Sequence, residues 1–261
     1  MNFNLPFLPF RTEKPRETGL TIMTDRGLSV REAENFAEGN APYTDFVKMA
    51  FGTSVLIPSL ESKLNIYRES GITPYFGGTL FEAFIIRGLL DDYRRYLDRF
   101  GIEFIEVSDG TIPMTREEKL EYIRILSADF TVISQSTPTK PVNYSIHEKW
   151  IDYIQEEMEA GAWRVILKEN ENIRVFNEDG VWNRHFINQM RENLDMDHLI
   201  WDATEKDHQL RLINLFGNNV SLCNIASSDV IPLEAKRLGL HSSTLMSLLP
   251  EIPDQNTKNQ E

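Results

Sequence analysis

Short apolar runs alternate along most of the chain with longer segments in which apolar residues return every three or four positions. The first run, Leu20 to Thr24, ends at Asp25, and Ser29 is placed to cap a helix through Phe36. Asp45 to Ala50 predicts a second strand and Leu60 to Glu69 the helix after it. Thr73 to Phe76 predicts a third, stopped by Gly77-Gly78-Thr79 and followed by one helix carrying Phe81, Phe84, Ile85, Leu89, Tyr96 and Phe100. Glu103 to Val107 reads as strand four. Thr115 then caps a helix, with Glu118 as its capping-box partner. Phe130 to Ser134 reads as strand five, followed by a polar loop from Gln135 to Tyr144 and a helix with Trp150, Ile154 and Met158 on one stripe. Trp163 to Leu167, Leu199 to Trp201 and Val220 to Cys223 supply strands six to eight. Their helices start near Asn183, pass through Leu210, Ile213 and Leu215 to Gly217, and run from about Ile231 to Leu238 before Gly239.

Eight strand-then-helix units of roughly 20–35 residues predict a single-domain α/β fold, a (β/α)8 TIM barrel over residues 20–249. A doubly wound open sheet is the alternative. The unbroken alternation and the lack of a Gly-x-Gly-x-x-Gly turn after the first strand favour the barrel. Residues 1–19 read as an extension packing on the barrel, with Phe3, Leu5, Phe7, Leu8 and Phe10 as a lid over an apolar surface. Residues 250–261 read as a disordered polar tail.

A formal charge of −13 argues against nucleic-acid and anionic-membrane partners. Any anionic substrate must therefore meet a local positive cluster. The lone Cys223 reads as a packed core thiol, in keeping with a reducing cytoplasm. The N-terminus lacks the basic segment of a signal peptide, and no apolar run reaches the roughly 20 residues of a membrane helix. His147, His185, His198, His208 and His241 show no zinc-ligand spacing.

Chemistry in a barrel collects at the C-terminal ends of the strands. Here those ends carry Asp25, Lys48 with Gly52-Thr53-Ser54, Gly77-Gly78-Thr79, Glu106 with Ser108-Asp109-Gly110, Ser134-Gln135, Lys168, Asp202 and Asn224. Strand alternation puts Glu106 and Ser108 on one side and Ile105 and Val107 on the other. Gly52 permits close backbone approach, the N–H groups of Thr53 and Ser54 open a helix, and Lys48 adds charge, so this stretch predicts an anion site. Each residue alone is equally at home in a turn or a cap.

The motifs Lys14-Pro15-Arg16-Glu17-Thr18-Gly19, Asp45-Phe46-Val47-Lys48 with Gly52-Thr53-Ser54, Gly77-Gly78-Thr79-Leu80-Phe81-Glu82 and Ser108-Asp109-Gly110-Thr111 resemble the phosphosulfolactate synthase family. The resemblance implies a (β/α)8 lyase that adds sulfite to phosphoenolpyruvate with Mg2+, forming 2-phospho-3-sulfolactate, and commonly associating into homo-oligomers. It implies phosphate binding by Lys48, Gly52, Thr53, Ser54, Gly77, Gly78 and Thr79, with Ser108, Gln135 and Asn224 also on the substrate. Asp25, Glu106, Asp109 and Asp202 are the expected metal ligands, and Lys140 or Lys168 the expected acid. Past the fifth strand the chain departs from the family pattern, with Gln135 for a glutamate, Lys168 for a second glutamate and Asn170 for an arginine. A relative using another nucleophile with phosphoenolpyruvate, or a non-catalytic barrel, is the alternative reading.

Overall fold

In the computed structural model, which describes residues 3–137, 146–169, 175–176 and 180–249, eight parallel strands close in sequence order. They are β1 (Thr21–Asp25), β2 (Phe46–Met49), β3 (Thr73–Phe76), β4 (Phe104–Val107), β5 (Thr131–Ser136), β6 (Ala162–Leu167), β7 (Leu199–Asp202) and β8 (Leu222–Ile225). The helices are α1 (Val30–Asn40), α2 (Leu60–Glu69), α3 (Gly78–Ile85), α4 (Leu90–Arg99), α5 (Arg116–Ser127), α6 (Ile146–Glu159), α7 (Arg184–Asn193), α8 (Lys206–Phe216) and α9 (Val230–Arg237). The closed ring establishes the (β/α)8 barrel over the open sheet.

Both expected caps form: Thr115 makes its capping box with Glu118 on α5, and Ser29 caps α1, where Glu32 completes a second box that was not expected. The single helix expected after β3 is two, α3 and α4. Gly88 takes φ +67° between them, a left-handed turn that glycine enters without a Cβ clash. Strand β5 runs two residues beyond the expected Ser134, so Gln135 belongs to the barrel wall, and β8 is displaced toward Asn224 and Ile225.

Two cores result. Leu20, Ile22, Phe46, Tyr75, Ile133, Ile166, Ile200 and Cys223 fill the barrel, with Phe104 and Trp163 packed on them. Phe46 meets Phe104 at 5.0 Å and Trp163 at 5.9 Å between ring centres, closing the lumen with aromatic contacts. Residues of opposite parity, such as Met23, Val47, Phe76, Ile105, Val107, Val165 and Leu222, face the helices.

The N-terminal extension is not the expected apolar lid. Phe3 is 83% and Phe10 80% exposed, and the contacts come from the polar residues after them. Arg11 pairs with Glu234 at 3.0 Å and with Asn219, while Arg16 pairs with Asp45 at 3.0 Å. Asp45 in turn accepts the Thr21 N–H at 2.7 Å. Asp45 and Asn219 precede β2 and β8, Glu234 lies on α9, and Lys14 donates to the carbonyls of Ala41 and Gly71 ahead of β2 and β3, so the Lys14-Pro15-Arg16 motif lies at the end opposite the mouth. Residues 250–261, read as a tail, lie outside the described residues. No helix among the described residues is long and apolar enough to cross a membrane.

Candidate active site

Inward parity carries Thr24, Lys48, Glu106, Ser108, Gln135 and Asp202 up from the apolar floor into the C-terminal mouth. The register places Thr24 beside Lys48, and Lys48 beside Tyr75. At the centre, Lys48 Nζ lies 2.9 Å from Glu106 Oε1 and 2.8 Å from Oε2. The Tyr75 hydroxyl donates to Oε2 at 3.3 Å and the Gly78 N–H to Oε1 at 3.0 Å. Burial lowers the Lys48 pKa, but the groups around it, Glu106 foremost and Asp202 among them, together outweigh burial and the group ends above the ordinary lysine value. Burial, reinforced by Glu106, pushes the Tyr75 hydroxyl well up. The pair is thus a fixed cation against a fixed anion, with a neutral phenol beside them.

The glycines of the third turn are required by this packing. A Cβ on Gly77 would meet the Lys48 Cε at 3.0 Å, and one on Gly78 would meet the Ser108 Oγ at 2.2 Å and Glu106 Oε1 at 2.9 Å. Within the Gly77-Gly78-Thr79 turn, expected to hold phosphate, the Gly78 N–H is donated to Glu106. Ser108 donates to Glu82, a buried acid of α3 that also accepts the Gly110 N–H at 2.8 Å and the Thr111 N–H at 3.2 Å. Glu82 falls within one of the family-like motifs, where the sequence assigns it no role. Its signal was a lone acid beside apolar Leu80 and Phe81 in a helix with its buried face on the barrel.

Around the rim, Thr24 donates to the Asn224 amide oxygen at 3.1 Å, and Asn224 holds φ +60°, in the left-handed region. Asp202 is half-buried and accepts the Thr204 hydroxyl at 3.2 Å. Lys168 is exposed at the end of β6. Cys223 is fully buried, and desolvation first and Asp202 second push its thiol well up, while Lys48 and Lys168 act against them. The thiol is neutral and unreactive, and it feels Lys48, Glu106, Asp202 and Lys168 together.

Other expectations are redirected. Asp25 faces the helices, where its carboxylate meets Lys63 at 2.7 Å, the Tyr67 hydroxyl at 2.7 Å and the N–H groups of Gly27 and Leu28 at 2.8 Å each. It is fully engaged on the wrong side of β1 to ligate a metal in the mouth. Asp109 is paired with Lys119 at 3.0 Å. The Gly52-Thr53-Ser54 turn forms no anion cradle at Thr53, whose N–H and hydroxyl both donate to the Ala50 carbonyl at 3.1 and 2.8 Å. Residues Thr53–Val55 make one 3-10 turn, and α2 starts only at Leu60. Ser54 lines an outer cleft of about 610 Å³ with Leu60, Phe84 and Tyr96. Lys140 and Asn170 lie outside the described residues.

Among the described residues no three His, Cys, Asp or Glu side chains converge on a metal position. That donor set does not fit an all-protein cage. Mg2+ keeps several waters and needs only one or two protein carboxylates, and Asp202 is the acid at the rim that would supply one.

Fold and site together define a (β/α)8 barrel with its polar chemistry gathered at the C-terminal mouth around a buried lysine–carboxylate pair. Residues 9–243 match the family model described as (2R)-phospho-3-sulfolactate synthase (ComA). A phosphosulfolactate synthase of Bacillus subtilis (strain 168) is 39% identical over 91% of this chain and 96% of its own length. One of Methanocaldococcus jannaschii is 32% identical over 87% and 94%. The chain belongs to the phosphosulfolactate synthase family. Among solved structures, 3-hexulose-6-phosphate synthase from Salmonella typhimurium superposes with a TM-score of 0.50 at 13% identity, over 88% of this chain and 98% of that one. Phosphonopyruvate hydrolase in complex with oxalate and Mg++ gives a TM-score of 0.50 at 16% identity, over 82% and 77%. At such identities the likeness shows the fold alone.

Proposed function

We propose that this barrel is a lyase that adds sulfite to the methylene carbon of phosphoenolpyruvate, giving 2-phospho-3-sulfolactate. The observation that carries the reading is the buried Lys48–Glu106 pair at the mouth of a chain that belongs to this family. The sulfur lone pair forms the C–S bond at the methylene carbon, and the alkene electrons move through the adjacent carbon onto the carboxylate. A proton then reaches that adjacent carbon, so one C–S and one C–H bond replace the alkene π bond.

Lys48 contributes charge. Its raised pKa makes it a poor acid and a persistent cation, placed to stabilise negative charge that develops on the ligand. Lys168, exposed on the rim, supplies the proton in this reading. Gly77 and Gly78 keep the wall thin beside Lys48, and Gln135 and Asn224 present amides to the polar ends of the ligand. Asp202 would hold Mg2+, and the bound ion would neutralise part of the carboxylate charge. The chain's net charge of −13 leaves anionic substrates dependent on local cations, of which Lys48 is already paired with Glu106 and Lys168 stands exposed on the rim.

The test is incubation of the protein with phosphoenolpyruvate and sulfite, with Mg2+ or with EDTA, followed by mass spectrometry. The expected result is a sulfonated phosphorylated acid that needs both reagents and Mg2+. Protein that leaves both reagents untouched in Mg2+ contradicts the proposal.

A further inference from the structure

A second set of buried charges lies between α5, α6 and the ends of β4 and β5, and the chemistry above makes no use of it. Lys119, on α5, is 1% exposed. Its Nζ meets Asp109 Oδ1 at 3.0 Å, the Gln135 carbonyl oxygen at 2.6 Å and Glu157 Oε1 at 3.0 Å. Three acceptors match the three donors of an ammonium. Glu157, on α6, is fully buried, accepts the Ser134 hydroxyl at 2.8 Å and pairs with Arg116. Arg116 also reaches Glu156 at 2.8 Å and lies over the Tyr153 ring at 4.4 Å. Burial pushes the Glu157 carboxyl up, yet Lys119 and Arg116 outweigh it and hold the group below the ordinary glutamate range.

Apolar packing can often replace a buried ion pair without loss of stability, so stability alone does not account for these charges. What apolar packing cannot do is grip two chosen oxygens. One is the carboxylate of Asp109, in the loop after β4. The other is the carbonyl of Gln135, whose side chain enters the mouth from β5. Glu82 also grips the same loop, through Ser108, Gly110 and Thr111. Loop and strand touch, since a Cβ on Gly110 would stand 3.5 Å from the Gln135 Nε2.

We propose that Lys119 is a positioning residue that fixes the Asp109 loop and Gln135 relative to each other, and so sets the geometry of that side of the mouth for the ligand. The inference rests on the mouth being the reaction site. A displacement of about 1 Å in such a wall is enough to cost about 100-fold in rate.

The test is a double-mutant cycle in the full chain with Lys119→Met and Gln135→Ala, reading kcat and KM with phosphoenolpyruvate and sulfite, and unfolding as a separate control. Lys119→Met is expected to lower kcat about 100-fold, and to lower it little further once Gln135 is replaced. Losses that multiply, or an unchanged kcat in a folded Lys119→Met protein, overturn the proposal while leaving the reaction standing. Should Lys119→Met fail to fold, Asp109→Ala takes its place, since it frees the loop and keeps the Lys119–Glu157 pair. If wild-type protein gives no turnover the proposed reaction falls, and the same cycle is read on phosphoenolpyruvate affinity by calorimetry. A wild type that neither reacts with nor binds phosphoenolpyruvate overturns both.

Discussion

Lys48 keeps its charge inside the barrel because Glu106 stands 2.8 Å away, and that fixes its pH behaviour. A lysine whose folded pKa is raised contributes stability that is complete below the unfolded value of about 10.4 and is lost only as pH rises through the folded value. From about pH 6 to about pH 9 Lys48 therefore gives no break in a profile of phosphoenolpyruvate affinity. Lys48→Met is expected to weaken that affinity by about 2 kcal/mol or more across the whole range, measured by calorimetry, because it leaves Glu106 buried without its cation. Unchanged binding would count against the pair. Asp25 makes the contrasting case. Lys63 and Asp25 are both fully buried away from the mouth, so Lys63→Met should cost about 3–5 kcal/mol in urea unfolding, and a cost below about 1 kcal/mol would show the pair to be dispensable. Sequence distinguished these acids poorly for a physical reason. In β4 the apolar Ile105 and Val107 fix which side Glu106 takes. In β1 both sides are apolar, Ile22 toward the lumen and Met23 toward the helices, so the facing of Asp25 could not be read.

Elements whose ends depend on local chemistry were legible, and those whose ends depend on the barrel were not. The Ser29 and Thr115 caps need only their own helices and stand where the residues place them. Gln135 and Asn224 are polar residues in strands because the mouth interior is polar, and Ser136 because it turns outward to accept the Trp150 indole N–H at 3.2 Å; a polar strand end reads as a loop. The same logic hid Lys119 and Glu157, which look like solvated helix positions until α5 and α6 pack over β5. At this scale the start of α3 offers the sharpest test. Gly78→Ala places a methyl 2.2 Å from the Ser108 Oγ, so the helix start or Ser108 must move. The expected outcome is a destabilisation of about 1–3 kcal/mol in thermal or urea unfolding together with a fall in turnover. A variant with wild-type stability and turnover would show that the close wall beside Glu106 is not needed.

For the whole molecule, the closed eight-stranded ring was readable because each short strand run is followed by helical periodicity, and this repetition outweighs errors of one or two residues at any boundary. The role of the N-terminal segment was not readable from its apolar residues. Its anchorage is polar, with Arg11 and Arg16 bonding residues that fall next to one another only once the barrel closes. The result is a barrel sealed at one end by arginines and open at the other around Lys48, with Asp202, Gln135, Asn224 and Lys168 at its rim. In the proposed reaction this end joins sulfite to phosphoenolpyruvate and delivers a proton to the neighbouring carbon. That proposal is tested most directly by running the reaction with Mg2+ in D2O and following it by phosphorus and proton NMR. The expected product is 2-phospho-3-sulfolactate with a single deuterium on the phosphate-bearing carbon, formed by the wild type and lost in Lys48→Met. A spectrum in which phosphoenolpyruvate persists unchanged beside sulfite and wild-type protein would contradict it.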